Sequence, residues 1–442
     1  MRDLLLLGLL PFLIFYAVKR PFIGLSLWLW SSLVPLQSWS YGVATSIRWN
    51  LLFALCTIVG FFVQNKKPPM VFNGVFRLYL LFVVWVTVSS FTHNGYEPHI
   101  WDRYDRFIKA SLFFLFAALI IEKKIHIEAI AWALVLSVGV KVGSQGVAVI
   151  LSGGGHRAVG ISNAFNDNNL AALATLMVIP FMVFLFLKYK KQIVMKYALL
   201  AGLLSNIAFI MGSESRGAFL GLLVLGGFFF MKSDRKGLVF TLICIVSILA
   251  LSLVDQDWLN RMDTMNELGE DSSFQGRVIA WKMHTLMALH DPFFGGGFDS
   301  ASYGPMIQIL MFDWSTLDFI SSPYPSKIHV AHSIYFQILG DTGFGGAFIY
   351  FALMAKLYLS FQKYRKNLLD NEMKDFAMYS SLSVISFLVA GAALSAAYNE
   401  IILALLGLQV GLTRFYLNQE KLNLPSSTIR QKPTVATRKN NG

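Results

Sequence analysis

Residues 169–187 read NLAALATLMVIPFMVFLFL, nineteen positions without a charge. A helix rises about 1.5 Å per residue, so this stretch spans close to the ~30 Å of a bilayer's hydrocarbon interior. Working outward, the same kind of run recurs near 4–18, 21–36, 50–64, 75–91, 107–121, 127–151, 197–212, 217–231, 237–254, 333–361, 377–398 and 401–417. The runs are continuous rather than alternating, which selects helices over a barrel. The chain as a whole agrees. It has 442 residues, 55% hydrophobic and 14% charged, with 38 Phe and 10 Trp, against roughly 25% charged in a soluble domain. Mean hydropathy is +0.57. A soluble enzyme, a disulfide-stapled domain and a disordered chain are excluded. The predicted class is an all-α polytopic membrane bundle of about 12–13 transmembrane helices. Cys56 and Cys244 fall inside apolar runs and read as small hydrophobes.

Charge orients the spans. Lys19 and Arg20, Lys66 and Lys67, Lys123 and Lys124, Lys188 to Lys196, Lys232 to Lys236 and Lys363 to Lys366 mark alternate ends. All fall on one side, which the positive-inside rule makes cytoplasmic. This accounts for most of the net charge of +12 without nucleic acid. The first run lacks a small-residue cleavage site and meets Lys19 and Arg20 at once, so it reads as a span rather than a cleaved signal. The predicted organisation is transmembrane helices over 1–254, a large external loop over 255–331, further transmembrane helices over 332–417, and a disordered basic cytoplasmic tail over 418–442. The loop holds ten acidic residues against four Lys and Arg, the reverse of the basic loops. Within it, RVIAWKMHTLMALH (277–290) reads as an amphipathic helix with Val278, Trp281, Met283 and Leu286 toward the membrane interface. Pro292 and the turn at Gly295, Gly296 and Gly297 end it.

Four external features carry candidate chemistry. SESRGAFLGL (213–222) places Arg216 at the outer membrane edge beside Glu214. Its guanidinium can grip an anion where water is scarce, snorkel to headgroups, or pair with Glu214. GRVIAW (276–281) puts Arg277 at a helix start, where free amides also favour anions; a solvated charge on lipid headgroups is the alternative. VAHSIYFQILGDTGFGG (330–346) places His332 where the loop re-enters the membrane, as a titratable base or a capping side chain. Tyr335 follows one turn on, and Gly343, Gly345 and Gly346 permit a bend or close contact. RAVGISNAFNDNNLAA (157–172) offers Arg157, Asp167, Asn168 and Asn169, suited to sugar hydroxyls or to capping the following helix. Asp255 and Asp257 form an isolated D-x-D, and Lys141 is a charge inside a span that needs a partner. No P-loop, no H-E-x-x-H and no His/Cys cluster occurs in the sequence, so no ATP site or zinc centre is read.

These features, in this order, resemble the O-antigen ligase and O-antigen polymerase superfamily. The likeness is closest to the O-glycosylation ligases associated with the exosortase A system. It is carried by MRDLLLLGLLPFLIFYAVKRPFIGLSLWLWSSLVPL (1–36), NDNNLAA (166–172), SRGA (215–218), GR (276–277), PFFGGGF (292–298) and AHSIYFQILGDTGFGG (331–346). The wider superfamily often shows His-Asn at His332-Ser333 and Glu at Asp341, and these departures favour the exosortase-associated branch. The resemblance implies a glycosyltransferase of the inner membrane with its site facing the periplasm, metal-independent, inverting and without a cofactor. The donor would be a glycan on undecaprenyl diphosphate, and the acceptor a protein, lipid or glycan. Carried over by position, Arg216 and Arg277 would hold the diphosphate and His332 would activate the acceptor hydroxyl. A Wzy-like polymerase using the same donor, or a multi-pass transporter or flippase, are the competing classes.

Overall fold

The computed structural model describes residues 2–93, 99–160, 165, 167–232, 236, 237, 240, 241, 244, 272–298, 300, 303, 305–320, 322–325 and 329–423. Among them the architecture is all helix: α1 (Arg2–Lys19), α2 (Pro21–Leu33), α3 (Trp49–Val63), α4 (Gly74–Thr92), α5 (His99–Ile120), α6 (Lys124–Leu151), α7 (Asn168–Tyr189), α8 (Ile193–Gly212), α9 (Arg216–Lys232), α10 (Ser272–His290), α11 (Met306–Phe312), α12 (Ile334–Asn367), α13 (Asn371–Gly391) and α14 (Glu400–Asn423). Seven of these, α4, α6, α7, α8, α12, α13 and α14, are long and apolar enough to cross a membrane. Helices α2, α3 and α9 are apolar but shorter. Helix α5 begins well before the apolar run at 107–121, because Asp102, Arg103, Asp105, Arg106 and Lys109 occupy its first turns. The run at 237–254 and the D-x-D at Asp255 and Asp257 lie largely or wholly outside the described residues.

The helices pack as the alternating charges require. Helix α7 is the centre, with Leu173, Met177, Phe181 and Leu185 fully buried against α8 and α13. Loops read as sharing one side do meet. At the basic end Lys124 pairs with Asp370, and Lys188 lies 2.6 Å from both Glu128 and Glu372. The Arg414 side chain is buried there and donates to the carbonyls of Pro69, Ala118 and Ile121. At the opposite end the Ala158 amide donates to the Gly212 carbonyl at 2.9 Å, and the Gly296 amide donates to the Gly340 carbonyl at 2.7 Å.

Three local features place the site. Helix α12 bends at Gly343, whose backbone is far from helical (φ 64°, ψ −172°). The turn 291–296 docks into the bend, with the Phe344 amide donating to the Pro292 carbonyl at 2.8 Å. Gly345 and Gly346 admit the Trp85 ring. Helix α10 then lies along α12, with Trp281 stacked on Phe336 at 5.2 Å. The interfacial reading of α10 needs correction. Met283 and Leu286 are buried in a second core with Met306, Leu310 and Trp314, because α11 and the turn after it cover that face. Lys282 is buried too, over the Trp314 ring at 4.5 Å and 3.8 Å from Asp318.

Candidate functional site

The end opposite the basic loops brings the distant motifs together. Helix α8 ends at Gly212, and Glu214 adopts a left-handed backbone (φ 55°) that turns the chain into α9, which starts at Arg216. The turn is held from beneath. Asn168 Nδ2 donates to the Ser213 carbonyl at 2.6 Å, and the Ser215 amide donates to Ser213 Oγ at 3.3 Å. Gly217 presses the start of α9 against the end of α13; a methyl group there would lie 3.1 Å from the Ala390 carbonyl.

His332 arrives at the same place from the other direction. It also has a left-handed backbone (φ 46°), and its amide donates to Ser395 Oγ at 2.8 Å. Ser395 lies five residues beyond Ala390 in the turn after α13. The start of α9 and His332 therefore dock on one short segment. Arg277 approaches on α10, next to Gly276, where a methyl group would lie 3.8 Å from His329 Nδ1.

Electrostatics link these groups. The His332 residue presents surface to solvent, yet its surroundings hold the imidazole below its usual pKa. Partial burial of the ring is the largest cause, followed by the Arg277 guanidinium; Asp167 acts the other way and His329 adds to the lowering. At neutral pH the imidazole is thus neutral, the form a base requires. Asp167 sits in this field as the cap of α7, its Oδ1 accepting from the amides of Asn169 at 2.7 Å and Leu170 at 2.9 Å.

The other sequence candidates take structural partners. Arg157 lies 3.7 Å from Glu214, across the entry to the turn. Asn169 Nδ2 meets Asn168 Oδ1 at 3.4 Å, a long contact. The Tyr335 hydroxyl donates to the Leu388 carbonyl at 3.0 Å, which fixes α12 against α13. Lys141 stands over the Trp39 ring at 6.0 Å. Two groups escaped the sequence reading. Ser395 has no motif around it. His284 is fully buried beneath the site, pushed down to about 4 by burial and then by His332. Its spacing of seven residues from Arg277 puts both on one stripe of α10, a signal that was present in the sequence. Among the described residues no three His, Cys, Asp or Glu side chains gather as a metal-ligand set.

The fold and this cluster define a class: a multi-span, all-helical membrane protein with charged and titratable groups gathered at one end of the bundle. Two family models match parts of the chain. Residues 199–351, which include Arg216, Arg277 and His332, match the family described as O-Antigen ligase. Residues 1–205 match a family of unknown function (DUF5935). No curated protein matches the chain. The match over 199–351 supports the O-antigen ligase superfamily and a membrane enzyme that transfers glycans.

Proposed function

We propose that the chain transfers a glycan from an undecaprenyl-diphosphate carrier to an acceptor hydroxyl at the periplasmic face of a bacterial inner membrane. The basic loops face the cytoplasm in this reading, which puts His332, Arg277 and Arg216 on the far side, where a lipid-linked donor presents its head. The observation that carries it is the meeting of His332 with Arg277, Asp167 and the Arg216 turn, three segments far apart in sequence, at that one end.

The chemistry follows from the residue types. Neutral His332 takes the proton of the acceptor hydroxyl as its oxygen bonds to the anomeric carbon. The bond from that carbon to the diphosphate oxygen breaks, and the departing charge develops on the diphosphate. Arg277 and Arg216 offer that charge planar forks of donors at the membrane edge. Attack opposite the leaving group inverts the anomeric centre. The donor already carries its leaving group, so no metal or nucleotide enters the scheme. Asp167, Asn168 and Asn169 support the site by holding the start of α7, and Arg157 with Glu214 flanks its entry. The departures at Ser333 and Asp341 favour the exosortase-associated branch. Membrane lipids surround the bundle, and a protein, a lipid or a second glycan is the acceptor.

The test is reconstitution of the full chain with an undecaprenyl-diphosphate glycan and separate protein, lipid and lipid-linked-repeat acceptors, followed by mass analysis. His332→Ala should lower transfer roughly 10²–10⁴-fold, and Arg277→Ala or Arg216→Ala roughly 10²–10³-fold, with the protein still in the membrane. Full transfer by His332→Ala removes the base. Product on lipid-linked repeats alone makes the enzyme a polymerase. Accumulation of donor across sealed vesicles without transfer makes it a flippase.

A further inference from the structure

A groove of about 960 Å³ opens between α1 and α3, on helices that carry none of the candidate site residues. Its wall on α1 is the stripe Leu7, Leu10 and Ile14, spaced three and four residues apart, with Phe15 beside it. All four are partly or fully exposed rather than buried under a neighbouring helix. The two helices touch where Gly60 meets Val18; a methyl group at Gly60 would lie 2.5 Å from the Val18 carbonyl. From Leu7 to Lys19 the wall runs twelve residues along a helix, about 18 Å. One leaflet of a ~30 Å hydrocarbon core is about 15 Å deep. The groove therefore has the length of one acyl chain.

Its far end is polar and positive. Lys19, Gln64 and Asn65 line it, and Arg20, Lys66 and Lys67 adjoin them in sequence, all exposed. The ammonium groups sit by aromatic rings at that mouth, Lys19 5.1 Å from Phe15 and Lys67 5.4 Å from Phe62. No acidic residue occurs between Asp3 and Glu97, so this part of the chain supplies no carboxylate to neutralise them. An apolar slot one leaflet deep, ending in cations and amides, is complementary to a lipid with a negative head. A zwitterionic head adds a second cation to a mouth that already has several.

We propose that the α1–α3 groove is a binding site for an anionic glycerophospholipid of the leaflet facing the basic loops. One acyl chain lies along Leu7, Leu10 and Ile14, and the phosphate is held at Lys19, Gln64 and Asn65. The site is at the opposite end of the bundle from His332 and does not depend on the transferase reading.

Native mass spectrometry of the detergent-purified full chain tests it, with phosphatidylglycerol, phosphatidylcholine of the same acyl chains, and glycerol phosphate as separate probes. The expected result is retention of one phosphatidylglycerol in preference to phosphatidylcholine, with no retention of glycerol phosphate. Lys19→Gln should cut that preference about fivefold, and Ile14→Trp, which fills the slot, should abolish retention. Val63→Trp, at an exposed position on the groove's other wall, repeats the blocking test if Ile14→Trp does not fold. Equal retention of the two lipids, binding of glycerol phosphate alone, or undiminished phosphatidylglycerol in a folded blocking variant overturns the proposal.

Discussion

Replacing Gly343 by Ala tests how the α12 bend is built. At φ 64° and ψ −172° the residue occupies a region that is essentially restricted to glycine, so a side chain there costs about 1–3 kcal/mol in backbone strain. The new methyl also has nowhere to go. It would lie 2.6 Å from the Phe293 carbonyl carbon and oxygen and 2.7 Å from the Pro292 oxygen. These are backbone atoms, fixed by the Phe344 amide bond to Pro292 at 2.8 Å. Overpacking against an immovable wall adds about 1–3 kcal/mol. Gly343→Ala should therefore destabilise the chain by roughly 2–6 kcal/mol, a large share of a typical ~5–15 kcal/mol. Two controls separate the causes. Gly153→Ala has the positive φ (62°) and no atom within 4 Å, so it should show only strain, about 1–2 kcal/mol. Gly8→Ala, inside α1 with no neighbour within 4 Å, should be neutral or stabilise by up to about 1 kcal/mol. Equilibrium unfolding of the full chain in mixed micelles measures all three. If Gly343→Ala costs no more than Gly153→Ala, the docking of the 291–296 turn into the bend is not what holds α12 in this shape.

Other outcomes follow from the same contacts. Asp167→Asn keeps the cap of α7, since Asn and Asp cap equally well, but removes the carboxylate that raises the His332 pKa. The folded His332 already titrates below 6.5, and transfer falls as pH drops through that value; the acid limb of the pH–rate profile should move further down with Asp167→Asn and upward with Arg277→Gln, and a shift of either in the opposite sense refutes the coupling. Arg414→Lys cannot serve the Pro69, Ala118 and Ile121 carbonyls together; with two left unpaired at about 1–3 kcal/mol each, micelle unfolding should show a loss of roughly 2–6 kcal/mol while transfer per folded molecule is kept. His332→Gly and His332→Ala should both lose transfer, but the glycine variant should be the more stable by about 1 kcal/mol, because only it relieves the left-handed backbone.

Much of this was legible in one dimension, for a physical reason. Helix length and charge-free composition are set by the bilayer, so NLAALATLMVIPFMVFLFL had one reading, and α7 runs from Asn168 to Tyr189. The alternation of basic loops is likewise a local property, and Lys124 with Asp370 shows that the loops so grouped do share an end. Contacts that depend on what arrives from elsewhere were not legible. Residues Val135–Gly139 wind more loosely than an α-helix, and the Gly139 carbonyl accepts from Asn206 at 2.9 Å; nothing in VLSVG announces that. Arg414 carries no motif of its own, and only three converging carbonyls make it a clamp. Met283 and Leu286 had an amphipathic pattern that suits a membrane surface or a protein surface equally, and α11 decided it. For the site, residue types and chain order gave the candidates; His284 had only its spacing from Arg277 to mark it, and Ser395 belongs to the site only through three-dimensional packing.

The two ends of the bundle are built on different principles, and the difference bears on function. The basic end is regular helix tied by side chains: Lys188 with two carboxylates, Lys124 with Asp370, Arg414 on three carbonyls. The left-handed backbone positions are at or near the other end. Among the described residues the positive-φ positions are Gly153, Gly154, Glu214, Gly295, Gly297, His332 and Gly343. Five are glycine, for which the conformation is cheap. The two that are not are His332 itself and Glu214, two residues before Arg216. A fold free to relax would place glycine or asparagine at both. That it instead holds a histidine there, with its amide pinned to Ser395, argues that the direction of the imidazole outweighs the strain of keeping it. The stability gained by His332→Gly over His332→Ala measures that strain directly, and equal stabilities would mean that the backbone at 332 is shaped by the neighbouring turn rather than held for the side chain it carries.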